Sequence, residues 1–357
     1  MYSDDDLQSA VESGALSAQA ADAFRAHVSA RHEMPAGDEE HFRLITGFND
    51  IFVTIAAVMI LVAMAGIGQA ITPSLDGPPP FSGALIAIAA WGMAEFFTKK
   101  RRMALPSIVL LLAFVGGVFE MLLGFMVMAF GDIDHPTRAV TMLFAGIPLL
   151  TAGAAWLHWR NFQVPITVAA GAAALAATAI ALIVAVVGPG NISPDGFLLP
   201  LVFIAGIGVF ALAMRWDMSD TARRTRRSDV AFWLHLLAAP MIAHPLFHWL
   251  GVTGGTNIGL ASVIGVLVVY VALGLVALAI DRRALLVSAL AYVLFALTWL
   301  FDRFGAVELN VALTALVIGS ALLTLSAFWT PIRRTVVEQL PANLRERLPA
   351  SGFALAA

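Results

Sequence analysis

The chain has 357 residues, of which 60% are hydrophobic and only 13% charged, and its net charge is −3. A soluble domain carries about 25% charged residues, so an ordinary globular protein is excluded, and the near-neutral balance argues against a nucleic-acid partner. Cysteine is absent, which excludes disulfides, iron–sulfur clusters and thiolate chemistry.

Residues 1–47 are polar and lack the short apolar core of a secretory signal. Ser3 before Asp4, Asp5 and Asp6 reads as an N-cap with acids in the first turn. Gly14 can end that helix, and Ser17 can cap a second one running to about His32, ahead of Pro35 and Gly37. The expectation is a cytoplasmic helical hairpin with too few apolar side chains for a core of its own. Its natural role is a lid or a docking site for a protein partner.

Spanning helices need about 20 apolar residues. Ten runs fit, at 48–71, 81–98, 105–130, 139–157, 163–187, 197–214, 230–250, 258–280, 284–301 and 307–329, followed by a cytoplasmic tail at 330–357. The expected fold is therefore an all-α polytopic transmembrane bundle occupying 48–329, with the lipid bilayer as its main partner. Trp156, Trp159, Trp216, Trp233, Trp249, Trp299 and Trp329 fall near predicted helix ends, where interfacial rings belong, and Trp91 is the exception. Asn49 and Asp50 read as the cap of the first helix, and His158, Arg160 and Asn161 as a short turn.

The basic residues fix an orientation. Of the 21 Lys and Arg, 19 fall in the two tails or in alternate gaps between the runs, and only Arg138 and Arg303 in the other gaps. The positive-inside rule then places both termini in the cytoplasm. High alanine content and the lack of cysteine fit a bacterial inner-membrane protein.

A faint internal repeat accompanies this pattern. Asp50 opens the first helix and Asp229 the seventh; the basic cluster 99–102 ends the second and Asp281-Arg282-Arg283 ends the eighth. Helices 1–4 and 7–10 (about 48–160 and 230–333) would be parallel copies, with 5 and 6 as a connecting hairpin. Parallel repeats of this kind occur in transporters, with sites between the halves.

Ionisable groups inside a bilayer are expensive and so are default functional candidates. Glu120 lies near the middle of the third helix beside Gly116 and Gly117. Glu95 shares a helix face with Lys99 and can pair with it. The seventh helix carries His235, His244 and His248 together with Pro240 and Pro245, which can kink it. His244 and His248 are four residues apart on one face, a metal-chelating spacing, while His235 faces nearly the opposite way. A metal site would need a third ligand, for which Glu120, His135 and Asp302 are the candidates. There is no phosphate loop, haem-attachment motif or Gly-x-Ser-x-Gly elbow, and no cofactor is expected.

The opening pattern of Leu7, Ala10, Val11, Gly14, Leu16, Ser17, Gln19 and Ala20 resembles that of a family of bacterial multi-pass membrane proteins with an N-terminal cytoplasmic helical hairpin. That resemblance covers about the first 60 residues, and the rest only in architecture. It implies topology but no activity, ligand or catalytic residue. Three functions fit the sequence: a permease-like transporter of an unspecified small molecule or ion, proton-coupled through Glu120 and the His residues; a membrane-embedded metal-dependent hydrolase; and a non-catalytic scaffold or sensor.

Overall fold

The computed structural model describes residues 10–14, 16–24, 48–73, 77–131, 137–188, 193–221, 223, 225–252, 259–303, 309–345 and 348. The chain divides into two compact units, Met1–His41 with Ala350–Ala357, and Phe42–Pro349. In the first unit, helical segments at 10–12 and 18–24 are described. Gly14, with φ +72°, closes the earlier one by donating to Val11, and Ser17 accepts from the Ala20 amide as the cap of the later one.

Every element of the second unit among the described residues is helical. In chain order they are α1 (Phe48–Ile71), α2 (Pro80–Ala94), α3 (Ala104–Phe130), α4 (Arg138–Phe162), α5 (Ile166–Val187), α6 (Leu199–Met218), α7 (Arg226–Trp249), α8 (Leu260–Ile280), α9 (Ala284–Arg303), α10 (Asn310–Ala327), α11 (Trp329–Glu338) and α12 (Ala342–Arg345). The first eight, α2 extended by the π-helical turn to Lys100 and α6 begun at Gly196, are long and apolar enough to cross a membrane, and the chain is a multi-pass membrane protein. The apolar part of α9 is shorter, Leu285–Phe301, and α10 qualifies only together with α11, from which it is bent by 72°.

Three expectations are corrected here. α4 does not stop before His158 but carries His158, Arg160 and Asn161 to Phe162. The tail expected at 330–357 begins as a folded helix. Trp329 is not an interfacial ring: it is 2% exposed and its indole donates to Asp281 at 2.8 Å. The physical reason is that α10 ends at Ala327 and the chain bends at Phe328, so Trp329 opens α11 and faces inward with Arg333 and Val337. Trp156 and Trp249, by contrast, are outward-facing, as expected.

Consecutive helices pair as hairpins, α2 with α3, α4 with α5, α6 with α7 and α8 with α9, while α5 packs on α7 and α7 on α9. In lipid, helices associate through close packing of small residues rather than by escaping water. The α1–α2–α3 group shows this. Ser82 donates to the Ala65 carbonyl across the α1–α2 contact at 2.7 Å. A Cβ on Gly83 would lie 2.5 Å from the Gly117 carbonyl oxygen, and one on Gly124 2.3 Å from that of Pro78. These obstacles are backbone and cannot swing away. Gly124→Ala is therefore expected to destabilise by about 1–3 kcal/mol, whereas Gly116→Ala, which meets nothing within 4 Å, should be neutral; thermal unfolding in detergent reads the difference.

Hydrogen bonds tie the basic links together at one end of the helices. Lys99 after α2 donates to Asn161 of α4, Arg226 of α7 donates to Gln163 after α4, and Arg282 after α8 donates to Ser228 of α7. Arg138 begins α4 and Arg303 ends α9, which by helix direction lie at the other end. The alternation seen in the sequence is thus a real separation of charge between the two ends of the bundle.

Candidate functional site

α7 is the central helix. Half of its membrane window is buried inside the protein, against a third or less in the other seven qualifying helices. Thr225 caps it by accepting from the Arg227 amide, and its own hydroxyl donates to Asp220 at 2.7 Å. It runs unbroken through Pro240 and Pro245. Prolines are tolerated in spanning helices because neighbours satisfy the freed backbone groups.

The three histidines of α7 fall into two environments. His235 is fully buried, and its Nε2 lies 2.8 Å from Asp217 Oδ2 at the end of α6. An ionised carboxylate only accepts, so Nε2 carries the hydrogen, and the buried Nδ1 has no hydrogen-bond partner. Asp217 also receives Arg282, with Nη2 at 2.6 Å from Oδ1 and Nε at 3.3 Å from Oδ2. The same guanidinium donates to the Ser228 carbonyl and hydroxyl, each at 3.1 Å. Asp217 is 1% and Arg282 3% exposed. This buried network locks α6, α7 and the α8–α9 link together.

His244 and His248 lie toward the opposite end of α7, with ring centroids 6.4 Å apart. His244 Nδ1 is 2.6 Å from the Tyr292 hydroxyl of α9, and the Tyr292 ring stacks on Phe247 at 4.5 Å. At about 1.5 Å rise per residue, His244 stands some 24 Å along α7 from Ser228 and about 7.5 Å short of the helix's other end at Trp249. His244 is exposed on the protein surface while bonded to Tyr292.

Glu120 is half-buried on α3, and no hydrogen bond or ion pair joins it to the described residues. α5 packs against both α3 and α7, and among the described residues no hydrogen bond or ion pair links Glu120 with the histidines. Glu95 accepts from Lys99 at 3.1 Å, the pairing expected from their spacing, and from Asn161 at 2.6 Å. Of the third metal ligands considered, His135 and the side chain of Asp302 lie outside the described residues. Among the described residues no three of His, Asp and Glu come together to hold a metal.

Three important residues were not singled out from the sequence: Asp217, Asp281 and Tyr292. Asp281 caps α8 in the left-handed conformation, with φ +56°. It accepts from Arg223 at 2.7 Å and from Trp329, faces Arg333 at 3.6 Å, and leaves Arg283 to lie 4.7 Å over the Trp329 ring. Burial alone would push its carboxyl up. The facing Arg223 and Arg333, the Trp329 hydrogen bond and nearby Arg282 outweigh this and hold it below the ordinary carboxylate range. Its stabilisation is thus complete above the usual carboxylate pKa of about 3.9 and lost as pH falls through the lower folded value. The protection of α11 amides, as exchange rates corrected for the intrinsic pH dependence of amide exchange, should accordingly be unchanged from neutral pH down to about 4 and fall only in stronger acid.

Compared with protein-family models, with curated proteins and with solved structures, the chain matches none.

Proposed function

We propose that this protein is a permease-like transporter of a bacterial inner membrane, with α7 as the helix along which protons couple to movement of a small molecule or ion. In this reading the ten helices α1–α10 all cross the bilayer, and both termini are cytoplasmic. The observation that carries it is the His244–Tyr292 hydrogen bond, with His248 one turn further on. A histidine within a span is costly unless it is paired or hydrated, and imidazole is the side chain whose charge changes near neutral pH. A His–Tyr pair can accept a proton on one ring nitrogen while the hydroxyl shifts its own hydrogen bond. Glu120, unpartnered and half-buried, supplies a second protonatable group in the span of α3.

The parallel repeat supports two halves around such a path. α1 with α3, α2 with α3, and α3 with α4 are matched by α7 with α9, α8 with α9, and α9 with α10. α1 also packs on α2, a pairing that α7 and α8 do not match to a comparable extent. The basic end supports the orientation, because cytoplasmic loops carry the excess of Lys and Arg. The N-terminal resemblance agrees with this topology.

The test is proton flux into liposomes containing the purified protein, driven by a potassium diffusion potential and read with a trapped pH dye. The native protein should carry flux above that of protein-free liposomes, and His244→Ala and Glu120→Gln should each remove most of it. Native flux equal to that of empty liposomes, or unchanged in both variants, would refute the proposal.

A further inference from the structure

The basic end of the bundle is not uniform. Around α8–α9 and α11 the cations face carboxylates: Arg282 on Asp217, Arg223 and Arg333 on Asp281, and Arg334 on Glu338. At the ends of α2 and α4 only Lys99 is paired, with Glu95. Lys100, Arg101, Arg102 and Arg160 are exposed and form no ion pair with the described residues. The two ends stand side by side. Lys99 donates to Asn161 at 3.1 Å, and Trp91 of α2 packs on Phe162 of α4 at 4.9 Å.

Two local features hold these cations where a bilayer meets water. Arg101 lies 5.4 Å over the Phe96 ring and Arg160 5.0 Å over the Trp156 ring. Both rings face outward, 43% and 58% exposed. Outward Trp rings at helix ends sit at headgroup depth, so the Arg160 guanidinium above Trp156 does too. The end of α2 is also a π-helical turn, Glu95–Lys100, in which Arg101 donates back to Phe96 rather than to Phe97. That turn displaces each following residue around the axis relative to α-helical register, and Arg102 then takes the left-handed conformation, with φ +53°. Consecutive positions project around the axis rather than along one face, so Lys100, Arg101 and Arg102 spread around the end of α2, and Arg160 joins them from the neighbouring end of α4.

We infer that the α2–α4 corner is a binding surface for the phosphate of an anionic phospholipid headgroup. Arg presents a planar fork that matches phosphate oxygens, and a basic pocket between helix ends is the arrangement that selects anionic lipids. The matching corner at α8–α9 is neutralised by its own carboxylates and does not take such a ligand.

Native mass spectrometry of the detergent-purified full chain tests this, with phosphatidylglycerol, phosphatidylcholine and inorganic phosphate as separate probes. Phosphatidylglycerol should bind in preference to phosphatidylcholine, and less so as salt rises. Each juxtamembrane cation is worth about a fivefold gain in affinity, so the triple variant Arg101→Gln, Arg102→Gln, Arg160→Gln should lose on the order of a hundredfold. The control Arg334→Gln, at an exposed cation already paired with Glu338 on α11, should retain the preference. Single Arg101→Gln and Arg160→Gln variants, which disturb no buried group, give the same reading in graded form. Equal binding of the two lipids, a triple variant that keeps the preference, or a control that loses it equally would overturn the inference. An equal response to inorganic phosphate would overturn the lipid as the source.

Discussion

Arg282→Met is expected to destabilise the protein by about 3–5 kcal/mol, the usual cost of removing one partner from a buried ion pair. Arg282 supplies both hydrogen bonds that Asp217 receives from a cation. Its loss leaves a carboxylate that is 1% exposed with only His235, among the described side chains, bonded to it. The penalty is that of the orphaned charge, not of the contact itself. The triple variant Asp217→Leu, His235→Leu, Arg282→Met removes all three polar groups together and should recover most of the loss, since apolar replacement of whole buried ionic networks is often near neutral. Thermal or SDS unfolding in micelles measures both. A triple variant less stable than the single one would mean that the network does more than satisfy itself.

Asp281→Asn should cost about 2–4 kcal/mol, because it removes a carboxylate that faces both Arg223 and Arg333 and receives the Trp329 indole. The loss is smaller than for Arg282 because the Asp281 side chain is 22% exposed, so water compensates part of it. Its location is the distinguishing mark. Hydrogen exchange should speed up in α11 and leave α1–α4 unchanged, since Asp281 ties α11 to the α8–α9 link. Uniform loss of protection would show that α11 is not separately held.

The helices were legible in the sequence because lipid demands long apolar runs, and eight of the ten expected runs meet that demand outright. The shared end of the basic links was legible for a similar reason, since charge placement is a property of the chain before it folds. The break between α10 and α11 was not, because Phe328 and Trp329 are apolar and extend the run without a visible stop. The signal lay further on, in Pro331, which suits a helix start, and in Arg333 and Arg334 beside Val336 and Val337. The charge network was hidden by the reading that revealed topology. That reading counts Lys and Arg and gives no weight to the intervening Asp217, Asp220 and Asp281. Their position was the clue: these acids punctuate the links between α6 and α9, while residues 99–104 after α2 hold none. Of the site candidates, the His244–His248 spacing was visible, but Tyr292, 48 residues from His244, could be found only by folding. The pairing of Glu95 with Lys99 was readable because it is local; the added hand of Asn161 was not, because it comes from α4.

The chain has no cysteine of its own, so single cysteines report topology without interference. Placed at Arg102 and Arg227 on one side and at Gly131 and Gly251 on the other, they can be labelled in intact cells with a membrane-impermeant maleimide. Labelling only at 131 and 251, with 102 and 227 reacting after the membrane is opened, is the result expected of a multi-pass protein whose basic end is cytoplasmic. Labelling of 102 and 227 from opposite sides of the membrane would contradict it.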